Sequence, residues 1–326
     1  MKKVFLLIIL IIPTYFFISY QSFKSAIVTS TENIIEIKKG DTYRSLADKL
    51  NINSNYLKIY LKFNPPKNDL QAGNYKVEKG LNLEGVINSL KNPITNDLQI
   101  TILEGRNIYD IDNKLSNEGL IKSGDLINLN KNNLNDLKKE YIFLKNAQTL
   151  EGFLYPDTYA INPNNFKLET FINSMLQNFD KKVIKELDIN PHDEELQNNI
   201  NIASILEKEE KSIKEKSLVA GILKKRLNEN WFIGADATVC YPYKLTFDEC
   251  TPNFIGNHIS DINDYNTRTK LGLPKTPISN PSADTIEAVY NSKDSPYYYY
   301  LHDSNGQIHY AKTNEEHIAN KMLYIK

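Results

Sequence analysis

The sequence predicts an α+β protein with three parts: an N-terminal hydrophobic helix, a small α/β module and a larger mixed α+β domain. Three observations carry this. The first residues, MKKVFLLIILIIPTYFFISY, hold an apolar run from Val4 to about Ile18 behind Lys2 and Lys3. Three strand–turn–helix patterns recur between residues 34 and 125. Beyond 126, helical stretches give way to a proline-rich loop and a hairpin, so elements are mixed rather than alternating as in a parallel sheet.

The apolar run lies near the lower limit of a spanning helix, about 17 residues. No small-x-small cleavage site directly follows Tyr20. Residues 1–20 therefore read as an uncleaved signal anchor, single-pass in the inner (cytoplasmic) membrane, in preference to a cleaved signal peptide; both readings export the rest of the chain. Lys2 and Lys3 stay cytoplasmic and the bulk of the chain is exported to the periplasmic side. Polar residues 21–33 read as a linker. Next, IIEIKKGDTYRSLADKLN (34–51) shows strand alternation, a turn, and a helix capped by Asp41 or Thr42 with Leu46, Ala47 and Leu50 on one side. This stretch resembles the opening of a LysM domain, a peptidoglycan-binding module; its plain alternative is a generic strand–helix unit. The theme returns at 71–92 and at QITILEGRNIYDIDNKLSNEGLI (99–121), which places the module at 34–125.

In the remaining span, 126–326, residues 126–145 are polar and helical or linking. LEGFLYPDTYAI (150–161) breaks the pattern, since Pro156 stops a helix and Asp157 suits a turn. Helices are predicted at 166–187, 193–210, 213–229 and 282–292. Between the last two, YNTRTKLGLPKTPISNPS (265–282) reads as a long ordered loop or the wall of a site. Asn305-Gly306 marks a β-hairpin.

Composition excludes several functions. Net charge is −1 and pI about 6.5, which gives no basis for a nucleic-acid partner. Cys240 and Cys250 lie in one segment, either as a disulfide or as two buried thiols; two ligands without a nearby histidine pair make no structural zinc site. Phosphate-binding loops, dinucleotide fingerprints and nucleophile elbows are absent, so no metal or cofactor is expected.

The stretch IASILEKEEKSIKEK (202–216) holds Glu207, Glu209 and Glu210. On a wheel of about 100° per residue, Ile200, Ile202, Ala203, Ile205 and Leu206 span a wide apolar arc. All three glutamates fall near or within it. A desolvated carboxyl has a raised pKa, as a general acid requires. Periodicity does not choose among the three.

Five stretches in the same order resemble the endolytic murein transglycosylases, the YceG-like family: IASILEKEE, LEGFLYPDTY (150–159), DATV (236–239), the 265–282 loop and AKTNEEH (311–317). The resemblance implies a lytic transglycosylase that cuts the MurNAc–GlcNAc β-1,4 bond of nascent peptidoglycan and leaves 1,6-anhydro-MurNAc ends. It implies Glu207 as the catalytic acid–base, with Glu151 and Glu209 in support. Tyr155, Asp157, Asp236, Thr238, Tyr265, Asn266, Thr267 and Asn280 are its expected substrate contacts, although Asp157 reads equally well as a turn residue. Partners implied are glycan strands, the membrane through the N-terminal helix, and peptidoglycan synthases. Departures from the family pattern include Gly234-Ala235, Ala237, Lys275-Thr276, Ser282 and Glu210, which alter loop shape rather than the acid. Two other functions compete: a muramidase-type hydrolase pairing Glu207 with Asp236, and a non-catalytic peptidoglycan-binding scaffold.

Overall fold

The computed structural model describes residues 2–29, 33–38, 40–66, 70–91 and 98–325, apart from the side chains of 2–13 and 33. The chain divides into two compact units, Met1–Asp97 and Leu98–Lys326.

In the first unit, helix α1 (Lys2–Ser25) runs into the expected linker. Most of the apolar run expected to anchor the chain lies outside the described side chains. Among the described residues no helix is long and apolar enough to cross a membrane. The later part of α1 leans on Tyr56, whose ring meets Phe16, Tyr20 and Phe23 at 5.9, 6.4 and 5.2 Å. Strand β1 (Asn33–Ile37), helices α2 (Tyr43–Lys49) and α3 (Ser54–Phe63), strand β2 (Gly73–Val77) and helix α4 (Leu83–Ser89) follow. The two strands pair antiparallel, with Ile35 opposite Tyr75. Thr42 caps α2 in a reciprocal arrangement with Ser45, and the helix buries Leu46 and Ala47 as its periodicity requires.

The second unit begins earlier than the sequence suggested. Strand β3 (Leu98–Thr101) pairs antiparallel with β4 (Thr158–Ile161), from Leu98–Ile161 to Thr101–Thr158. Helix α5 (Ile108–Asn117) buries Ile108, Ile111 and Leu115 in the same core. The third strand–turn–helix pattern, placed in the N-terminal module by its resemblance to the other two, therefore belongs to the larger unit. Its β-partner lies some sixty residues downstream and was invisible to local repetition. Helices α6 (Asp125–Asn132), α7 (Leu134–Glu140) and α8 (Leu168–Phe179) complete this half.

Helix α9 (Leu196–Glu209) crosses the core with Ile200, Ile202, Ala203, Ile205 and Leu206 buried. It packs against α10 (Ile213–Asn228) and α13 (Ala283–Tyr290). Short helices α11 (Ala237–Cys240) and α12 (Pro252–His258) lie between, with a disulfide joining Cys240 to Cys250 across a Cα separation of 5.6 Å. The 265–282 segment is ordered and largely buried. Ile278 N donates to Ser204 Oγ at 3.0 Å, and Ser279 Oγ donates to Ser204 O at 2.9 Å, stitching it to α9. Gly152 in the LEG turn has φ +92°, and a Cβ there would meet Ile200 and Pro277 at 2.7–2.8 Å, so only glycine fits. Strands β5 (Tyr299–His302) and β6 (Ile308–Ala311) form the hairpin about Asn305-Gly306, and α14 (Asn314–Tyr324) packs on it.

Candidate active site at the end of the acidic helix

Helix α9 stops abruptly, since Glu210 is extended at φ −136°, ψ 123°. Glu207 and Glu209 share the last turn yet point about 200° apart, as a two-residue step dictates. Their surroundings differ accordingly.

Glu207 faces inward. Its Oε2 accepts from Ser282 N at 2.9 Å, Ser282 Oγ at 2.8 Å and Thr285 Oγ1 at 2.5 Å, which seats it on the N-terminus of α13. Oε1 lies 3.3 Å from Lys216 Nζ, and the two side chains are only 8% and 5% exposed. Burial pushes the Glu207 carboxyl up, but the Thr285 and Ser282 hydrogen bonds and the Lys216 charge outweigh it and hold the carboxyl below its ordinary value. The arrangement is an ionised helix cap. A raised pKa at Glu207, expected from desolvation, does not occur, because the desolvated group is fully supplied with donors.

Glu209 faces outward into a cleft of about 760 Å³ that it shares with Asp236, Arg226, Arg268, Tyr300 and His302. Tyr300 OH donates to Glu209 Oε2 at 2.9 Å. Burial pushes the Glu209 carboxyl above its ordinary value and the Asp236 charge adds to the rise, while Tyr300, Arg268 and Arg226 oppose it. Its position at the helix C-terminus also disfavours a negative charge. Burial and the Glu209 charge hold the Tyr300 phenol well above its usual range, so it remains a donor. Asp236 is exposed and receives Arg268 Nε at 2.6 Å and a terminal nitrogen at 2.5 Å. Glu210, nearly buried, accepts from Ser212 N at 2.6 Å and meets His302 Nε2 at 2.9 Å.

The other expected contacts divide sharply. Asn280 is fully buried: its Oδ1 accepts from Gly152 N and Leu154 N, and its Nδ2 donates to Glu151 Oε1 at 2.8 Å. Glu151, also buried, accepts from Ile108 N and Tyr241 OH, both at 2.9 Å, and burial pushes its carboxyl up to about 8. Asn266 is buried and ties Ile259 O to Asp261 O. Thr238 and Thr267 bond each other at 3.0 Å in the core, and Thr267 Oγ1 holds the backbone of Ala235 beside Asp236. Tyr265 reaches Thr276, and the Tyr159 hydroxyl donates to the Tyr155 carbonyl. Asp157 is exposed just before β4, its Oδ1 accepting from Thr158 N and its Oδ2 from Asn178 Nδ2. Of the expected sugar contacts, Asp236 alone lines the Glu209 cleft. The rest, with Glu207, form the frame behind it or lie elsewhere.

Tyr300, Arg226 and Arg268 were missed in the sequence. Arg268 directly follows the Tyr-Asn-Thr stretch, and Tyr300 sits on the hairpin strand whose turn was legible, so the signal was partial.

The sequence profile of the YceG-like family matches residues 35–322, and the chain belongs to that family. It is 27% identical over 313 residues to the endolytic murein transglycosylase of Bacillus subtilis, covering 89% of this chain and 84% of that one. It is 26% identical over 287 residues to the endolytic murein transglycosylase of Streptococcus pneumoniae, covering 77% of this chain and half of the relative's length. A putative yceG-like protein of Listeria monocytogenes shares the fold, with a TM-score of 0.60, 23% identity, and coverage of 89% of this chain and 99% of that one.

Proposed function

We propose that the chain is a peptidoglycan lytic transglycosylase whose acid–base is Glu209 rather than Glu207. The observation that carries this is the pairing of an outward-facing carboxyl of raised pKa with an open cleft. Glu209, protonated, delivers its proton to the glycosidic oxygen between MurNAc and GlcNAc as the C1–O bond breaks. Ionised Glu209 then takes the proton from the MurNAc 6-hydroxyl as that oxygen bonds to C1. The products are a 1,6-anhydro-MurNAc end and a free GlcNAc 4-hydroxyl. Tyr300 fixes the carboxyl orientation, and Asp236, held by Arg268 in the same cleft, supplies negative charge for the developing oxocarbenium. Names of the bacillar and streptococcal relatives support murein as substrate.

A second reading draws support from Asp236. Two carboxylates in one cleft are the equipment of a hydrolase, which yields reducing ends one water heavier. Mass spectrometry of sacculi digested by wild type, Glu209→Gln and Glu207→Gln separates these readings. Anhydro ends from wild type and Glu207→Gln but not Glu209→Gln support ours; reducing ends alone select the hydrolase; unchanged cleavage by Glu209→Gln removes the acid assignment.

The apolar run behind Lys2 and Lys3 supports a single-pass inner-membrane anchor with both enzymatic and glycan-binding parts outside, beside the peptidoglycan synthases. The Lys-Gly-Asp-Thr sequence and the capped α2 that follows it support a LysM-like role for the first unit. Endolytic cuts there release or terminate new strands.

A further inference from the structure

The charges around the cleft do not balance. Asp236 is matched by Arg268. Glu209 is uncharged while it acts as the acid. Two further cations, Arg226 and Lys321, line the same cleft and make no ion pair among the described residues. Arg226 is pre-aimed: its Nε donates to Tyr298 O at 2.8 Å and a terminal nitrogen to Ile233 O at 2.5 Å, with the guanidinium 5.6 Å from the Tyr299 ring centre. His317 lies flat on that ring at 5.0 Å, and its Nδ1 is buried with no hydrogen-bond partner. Burial lowers the His317 pKa, and the Lys321 and Arg226 charges lower it further, so both cations act on the imidazole. A buried polar atom without a partner is costly and is normally satisfied by something.

We propose that Arg226, His317 and Lys321 form a subsite for a carboxylate carried on the 3-O-lactyl arm of the muramyl residue. An oriented guanidinium suits a carboxylate, and the lone imidazole nitrogen completes the set. The inference rests on the glycan-cleaving reading and adds that the enzyme recognises an acidic substituent, not a neutral sugar chain. Two sources supply this chemistry: the lactyl carboxylate itself on a strand stripped of peptides, or a carboxylate of an attached peptide.

The test uses the full chain carrying Glu209→Gln to suppress turnover, with and without Lys321→Gln. Lys321 is exposed, so its replacement leaves the core intact. Three saccharides of equal length are titrated: a peptide-bearing muroglycan, the same strand stripped by an amidase, and a chitin oligosaccharide without lactyl arms. We expect at least one muroglycan to bind about five- to tenfold more tightly than chitin, and Lys321→Gln to remove most of that preference. Whichever muroglycan binds better identifies the carboxylate. Equal binding of all three, or a preference untouched by Lys321→Gln, overturns the subsite and leaves the cleavage reading standing. Binding of none of them overturns the cleavage reading too.

Discussion

Glu207 and Glu209 are the same residue type, two positions apart on one helical turn, and their environments push their protons in opposite directions. Inside, four donors surround Glu207 and keep it ionised. Outside, Glu209 has one hydroxyl donor and a nearby carboxylate, and burial outweighs Tyr300, Arg268 and Arg226 and raises its pKa. Desolvation is the largest influence on both, so burial alone does not make a catalytic acid. What decides is whether the fold also supplies donors.

The comparison is broken most severely by Glu209→Gln. Loss of a general acid typically costs about 10²–10⁴-fold in rate. The variant should melt no lower than wild type while anhydro-end formation collapses, as read by calorimetry and product analysis. Next is Glu207→Ala, which strands the buried Lys216 ammonium and should cost about 3–5 kcal/mol of stability in denaturant unfolding. Activity per folded molecule should persist; a fully stable but inactive Glu207→Ala would reverse the two roles. Smaller is the disulfide. Opening the Cys240–Cys250 loop by Cys→Ser should cost about 2–3 kcal/mol. That loop carries Phe247, whose ring lies under Lys208 Nζ at 4.0 Å.

The finest test is pH. Glu207 has a folded pKa below 4.5, so its contribution to stability is present above 4.5 and is lost as pH falls through the folded value. Glu209 has a folded pKa above 4.5, so its contribution is full below 4.5 and is lost as pH rises through the folded value. Glu207→Gln should therefore flatten the acid limb of the stability curve, and Glu209→Gln should raise the neutral limb slightly. Cleavage by wild type should decline as pH climbs past the Glu209 pKa. Glu151 behaves like Glu209 in stability, with its contribution fading between about 4.5 and about 8, yet it should leave no mark on the rate profile.

Much of the fold was legible because it is local. The apolar stripes of α2, α5 and α9, the Thr42 cap and the Asn305-Gly306 turn are encoded within a few residues. The β3–β4 pairing was not, since its halves are separated by three helices. The site was legible to within one helical turn. The wheel brought three glutamates to the core side, and the family resemblance favoured the first. What separates the environments of Glu207 and Glu209 is Ser282 and Thr285, more than seventy residues away, and Tyr300, more than ninety away. Asn280, Asn266 and Thr238 carry motif residues that look like ligand contacts in sequence because polar side chains satisfying buried backbone groups are as constrained as those that touch substrate.

The abrupt end of α9 sets a rule about phase. One helix turn faces two ways: one side fastens it to α13 and the opposite side lines the cleft. A single residue inserted upstream turns the end by about 100°, undoing the Glu207 fastening and turning Glu209 from the cleft together; seven inserted residues restore the facing to within about 20° but carry the end about 10 Å along the axis, away from both. Both environments depend on the same angle and the same axial position, so a change of length within α9 disturbs the two at once.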